Sequence, residues 1–165
     1  MNGATLRRGA LGGVLGGMAM AVWSMVLLGL TGLGFWAPLN LIAHTLWRSA
    51  PLDGTFSLPA LLIGMMVHAV MAMLFGTLIT LAARRLSGAR SLVIAAGTVL
   101  SALVWALMQY GVWRAVDPAA STAFTPWVLA VAHLMFGMIA ATLAGLVVED
   151  DLDPASTEPS YPGRS

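Results

Sequence analysis

Two histidines, His68 and His133, stand inside long runs of apolar residues. They are the side chains in this sequence best placed to do chemistry, since an imidazole can ligate a metal, pass a proton or hydrogen-bond a ligand. Each leads a stripe of small residues at four-residue spacing: His68, Ala72, Gly76 and Thr80 in one run, and His133, Gly137, Ala141 and Gly145 in the other. A Thr-Leu pair follows nine residues after each histidine, at Thr77-Leu78 and Thr142-Leu143. Four-residue spacing places such residues on one helix face. The sharpest chemistry this predicts is axial ligation of one b-type haem, or of a metal, with Ala72 and Gly137 leaving room for a flat macrocycle. A proton or substrate path is a second reading. The plainer one is packing: a neutral His in a bundle bonds a carbonyl, a Thr or a water at ~0.6 kcal/mol per bond. The runs hold no carboxylate to orient either ring, although ligating histidines ordinarily have such a partner.

Other candidates point more weakly to chemistry. Gln109 shares a face with Gly97, Ser101 and Trp105, and is expected to bond across a bundle. Met65, Met66, Met71 and Met73 invite a thioether copper site, but their spacing wraps around a helix, which suits lipid contact and gap filling. His44 is expected at a solvated or interfacial position, with capping of an outward-opening site as its alternative. Arg114 and Asp117 are close enough in sequence to pair locally. There is no Cys, which removes thiolate metal sites, iron–sulfur ligation and thiol nucleophiles. Nucleotide-binding loops and hydrolase motifs are missing too, so no enzymatic activity is expected.

The elements that must carry these residues are set by composition. Of 165 residues 59% are hydrophobic and 9% charged, too few charges to clothe a soluble domain. Net charge is +1, with no basic field for nucleic acid. Four apolar runs, about 10–33, 59–83, 91–112 and 125–148, each approach the ~20 residues needed to span a bilayer as a helix. None contains Asp, Glu, Lys or Arg. Backbone groups in lipid must pair internally, and no period-2 alternation suggests a barrel, so an all-α four-helix transmembrane bundle is predicted over 1–150.

Arg7, Arg8, Arg84, Arg85 and Arg90 lie on one side of these runs, and Arg48 and Arg114 on the other. That excess predicts that the N-terminus, the middle link and the C-terminus are cytoplasmic. A cleaved signal ending at Ala19-Met20-Ala21 is the rival for the first run, but the apolar stretch continues unbroken to Leu30. Segment 34–58 is expected to hold a short interfacial helix opened by Pro38, with Leu39, Ile42 and Leu46 on one face and Asn40, His44 and Arg48 on another. Residues 151–165 form an acidic, proline-punctuated tail expected to be disordered.

Matching stripes in the second and fourth runs suggest two tandem two-helix repeats, about 1–88 and 89–150, related by an axis along the membrane normal. Trp23 and Gly29 match Trp105 and Gly111 at the same separation. Small residues at this spacing let helix backbones approach closely in lipid, which predicts packing faces at Gly13, Gly17, Ala72, Gly76, Gly137, Ala141 and Gly145. The histidines ride on those faces, ~12 to 14 Å below the outer surface.

Taken as a pattern, the Gly-rich stretch Gly12 to Gly17, the segment Pro38 to His44, His68 through Gly76, and Ala132-His133-Leu134 through Gly137 resemble one bacterial group. These are the inner-membrane proteins classed as domains of unknown function, including the YagU-like ones. The resemblance spans about residues 9–148 and implies a bacterial plasma membrane with no established activity. Three functions stay open: a non-catalytic accessory or scaffold subunit, alone or as a homo-oligomer; a bis-histidine haem or metal protein; and a small oligomeric transporter or channel.

Overall fold

A computed structural model of the chain describes residues 3–86 and 90–152. Its four long helices are α1 (Gly3–Leu30), α3 (Leu58–Ala83), α4 (Arg90–Leu107) and α7 (Pro126–Leu152). Short helices α2 (Ala37–His44), α5 (Trp113–Val116) and α6 (Pro118–Ala123) gather at one end. A π-helical turn, Met108–Val112, joins α4 to α5, so the third span runs to Val116, four residues past the predicted end at 112. All four spans are long and apolar enough to cross a membrane, and the protein is a multi-pass helical bundle in contact with lipid.

Local chemistry fixes the helix starts. Ser57 accepts from the Ala60 N–H with Pro59 in the first turn, and Asp117 accepts from the Ala120 N–H with Pro118 behind it. A capping oxygen followed by proline uses the one helix position where a missing N–H costs nothing. After α1 the chain turns through Gly32 and Gly34, at φ +85° and +101°, values that side chains with a Cβ rarely adopt.

α1 is the hub of the bundle. Gly9, Gly13 and Gly17 face α3, and a Cβ built on Gly13 would strike the Ala72 carbonyl; one on Gly17 would lie 2.7 Å from the Ala72 Cβ. Gly12 and Gly16, on the adjoining face, meet Leu143 and Phe136 of α7. On the far side α7 packs against α4, where a Cβ on Gly137 would lie 2.7 Å from the Gly97 carbonyl oxygen and one on Gly97 2.5 Å from the Ala141 Cβ. Gly145 is looser, its nearest neighbour being the Arg90 side chain at 3.4 Å. Lipid tails are as apolar as leucine, so close backbone approach, not hydrophobic exclusion, must hold these helices together. The large side chains point the other way: Leu11, Leu15, Met18 and Val22 on α1, and Leu62, Met66 and Val70 on α3, are all exposed. Such an apolar exterior suits lipid contact. α3 touches α7 but barely meets α4, leaving a gap between the second and third spans that α1 and α7 do not close.

Two details go beyond the expected outline. The short helix expected within 34–58 is present as α2, and it packs closely against the bundle end: Ala37 to Leu41, Ala43 and His44 are all buried. Gly64 permits this, because a Cβ there would strike the Leu39 carbonyl. Its polar face turns inward, and the Asn40 amide donates to the carbonyls of Asp53 and Thr55 at 2.9 and 2.8 Å. At the other end, α7 continues through Asp151 to Leu152, so the first two residues of the expected disordered tail are helical; residues 153–165 lie outside the described residues.

Candidate functional site

The gap between α3 and α4 opens into a cavity of about 380 Å³. Its walls are Val67, Met71 and Phe75 of α3, Leu100 and Val104 of α4, and Leu129 and Phe136 of α7, with Met20 of α1 at the back. Lining residues on the third span run from Leu100 to Val116, so the cavity is elongated over roughly 24 Å of helix rise. Leu46, Leu78 and Leu100 line it while remaining exposed. It is therefore a lateral chamber, open on the flank of the bundle between α3 and α4.

His68 and His133 both line this chamber. The His68 Nε2 lies 2.9 Å from the Gly17 carbonyl of α1, and the His133 Nδ1 2.8 Å from the Leu129 carbonyl one turn back on α7. A carbonyl only accepts, so each of these nitrogens carries the hydrogen. In the neutral ring the remaining nitrogen, Nδ1 of His68 and Nε2 of His133, is then an acceptor. Neither acceptor has a hydrogen-bond partner among the described residues. Ser101 fixes the backbone beside one of them, donating to the His133 carbonyl at 2.6 Å. Thr77 and Thr142 donate to their own helices at Met73 and Met138. The chamber thus presents two acceptors in an otherwise nearly apolar wall. Of the methionines considered for copper, Met71 lines the chamber, whereas Met65, Met66 and Met73 are exposed.

At the end where Thr45, Leu46 and Val116 line the chamber, a polar clasp ties the short helices together. Asp117, 1% exposed, receives His44 Nδ1 at 2.6 Å and Arg48 Nη1 at 2.5 Å on one carboxylate oxygen, and the Ala120 N–H on the other. Arg48 also donates to the Val116 carbonyl at 2.7 Å. His44 is accordingly buried and paired, not solvated as expected. Asp117 pairs across to the α2 region instead of with Arg114, whose guanidinium lies 5.6 Å from the centroid of the Tyr110 ring. The sequence carried a signal for this hub that sequence reasoning missed. Asp117 precedes a proline at a helix start, and it faces a link that holds both a His and an Arg.

Burial alone pushes the Asp117 carboxyl upward. Hydrogen bonds from His44 and the Ala120 N–H, with the Arg48 charge beside them, outweigh it and hold the group below the usual value of 3.8. A carboxylate lowered on folding contributes stability that is full above its unfolded pKa and is lost as pH falls through its folded one. Thermal midpoints are therefore expected to decline below about pH 4, and Asp117→Asn should flatten that decline. A midpoint that falls equally with acid in both proteins would show that Asp117 is not the responsive group.

Among the described residues no group of three or more His, Asp or Glu comes together to hold a metal. No protein-family model, curated protein or solved structure matches the chain.

Proposed function

We propose that this chain is a non-catalytic accessory protein of a bacterial plasma membrane that binds an elongated apolar molecule bearing a hydroxyl group, drawn laterally from the bilayer into the α3–α4 chamber. The observation that carries the proposal is the pair of histidines. Each ring spends one nitrogen on a backbone carbonyl and keeps an acceptor for the chamber it lines. Acceptors in an apolar wall favour ligands that bring donors, because a buried polar group without a partner is costly. A quinol or a long-chain alcohol has both the apolar length and the donor. The arginine distribution supports placing both termini in the cytoplasm and the clasp end outside, and membership of the YagU-like group, with its bacterial location, is part of the proposal. Tandem duplication belongs to the same proposal: in each hairpin the small stripe below the histidine meets a glycine of the preceding long helix, Gly13 in one and Gly97 in the other.

Haem ligation is the second reading, favoured by both rings lining one chamber. It is less well supported by the nitrogens left over. On His68 the acceptor is Nδ1, next to the Cβ, where a macrocycle would run against the helix that carries the ring.

The test is retention of chain-matched ligands by the purified protein in nanodiscs: a long-chain alcohol or quinol against its methyl ether, which has no donor. A hydrogen bond of about 1 kcal/mol predicts a several-fold preference for the alcohol, narrowed in His68→Leu and again in His133→Leu. Equal retention of alcohol and ether by the unmodified protein would overturn the reading. A Soret band that vanishes in either variant would replace it with the haem one.

A further inference from the structure

The π turn at Met108–Val112 is the one departure from α geometry within the described spans, and it sits beside a second pocket. In it the Trp113 N–H reaches back five residues to the Met108 carbonyl. Widening a turn by one residue changes which side chains stack, so residues five apart come to lie one turn apart on the same face. In an unbroken α-helix Gln109 and Arg114 would point apart; here both line a pocket of about 490 Å³, with Ser121 and Thr122 of α6 across from them.

Gln109 is 4% exposed, and its Oε1 is buried without a hydrogen-bond partner among the described residues. A buried carbonyl oxygen in that state costs about 1–3 kcal/mol until something donates to it. Arg114 is exposed, held over the Tyr110 ring, and has no ion pair among the described residues, because Asp117 is committed to His44 and Arg48. The pocket therefore pairs an acceptor that lacks a donor with a cation that lacks an anion. It lies at the clasp end of the third span, where that span leaves the apolar layer.

We propose that this pocket is a headgroup site for phosphoethanolamine, its ammonium donating to Gln109 Oε1 and its phosphate facing Arg114. A trimethylated headgroup has no N–H to offer Gln109, and a glycerol headgroup offers only neutral O–H donors, whose bond is weaker than the charge-assisted one from an ammonium. The primary amine ester therefore meets both demands most strongly, and the membrane leaflet at that depth is its natural source. A soluble phosphoethanolamine ester would present the same chemistry. This site is separate from the α3–α4 chamber and stands whether or not that chamber binds a ligand.

The experiment is lipid retention by the full-length protein, read by native mass spectrometry, with chain-matched phosphatidylethanolamine, phosphatidylcholine and phosphatidylglycerol. Phosphatidylethanolamine should be retained about five- to tenfold over phosphatidylcholine, as expected for a charge-assisted hydrogen bond. Gln109→Leu should reduce that preference below twofold while lowering phosphatidylglycerol retention less than phosphatidylethanolamine retention, and Gln109→Met, of matching length, should do the same if the first variant folds poorly. Arg114→Gln should weaken retention of both phosphatidylethanolamine and phosphatidylglycerol. Competition by water-soluble glycerophosphoethanolamine separates the sources: displacement assigns the site to a free ester, and resistance to it assigns the site to the lipid. Equal retention of phosphatidylethanolamine and phosphatidylcholine by the unmodified protein, as a water bonded to Gln109 would give, overturns the proposal. So does a preference that survives in a folded Gln109 variant.

Discussion

Replacing Asp117 with Ala is expected to cost about 3–4 kcal/mol and to loosen the whole end of the bundle that carries α2 and α6. Removing one partner of a buried pair typically costs 3–5 kcal/mol, since the other is left without compensation. The lower part of that range applies here because Arg48 is half exposed and can turn to water, whereas His44 cannot. Loss of the helix cap on α6 adds about 1 kcal/mol. Asp117→Asn keeps an oxygen for the cap and should cost roughly half as much. Thermal midpoints in detergent or nanodiscs read the series, and hydrogen exchange at Ala120 localises it. A loss under 1 kcal/mol for the Ala variant would mean that the clasp is ornamental.

A second large effect is expected at Gly13. Even a methyl group there would occupy the space of the Ala72 carbonyl, so α1 and α3 must separate. Gly13→Leu should prevent accumulation of folded protein, and Gly13→Ala should cost more than 2 kcal/mol, within the ~1–3 kcal/mol typical of overpacking. Gly12, its neighbour in sequence, provides the control. A Cβ there meets Leu143 at an ordinary 3.6 Å, so Gly12→Ala should stay within ~0.5 kcal/mol. Equal sensitivity at the two positions would show that the effect is a general intolerance of α1 to substitution, not the α1–α3 contact.

How much of this was legible in the residues differs by element. The long helices were, because a run of twenty apolar residues has few physical alternatives in lipid. The glycine stripes on α1 pointed to close approach, but nothing in their spacing said that one stripe would serve α3 and the adjoining one α7. α2 was legible as a short helix, but its amphipathic pattern did not say how closely it would pack on the bundle end. The decision rests on Gly64, on a different helix, which lets the α2 backbone in. The clasp escaped notice for a related reason: His44 and Asp117 are 73 residues apart, and only the folded chain brings them to 2.6 Å. The π turn has no sequence signature at all, and Gln109 was expected to bond across the bundle for want of it. Of the two membrane histidines, the sequence placed both on inward faces. Which ring nitrogen each would spend on a carbonyl depends on backbone positions in α1 and α7 that no spacing encodes.

The central claim is that the space between α3 and α4 holds a ligand, and the most direct measurement fills that space. Val104 lines the chamber from the α4 side and is only partly buried, so Val104→Trp can occupy it while leaving the glycine contacts of α1 and α7 untouched. Organic extraction and mass spectrometry of protein purified from its native membrane should then recover a hydroxyl-bearing apolar molecule at near one per chain from the unmodified protein. From the equally stable Val104→Trp variant it should recover little. Recovery of the same molecules in the same amounts from both proteins would contradict the account.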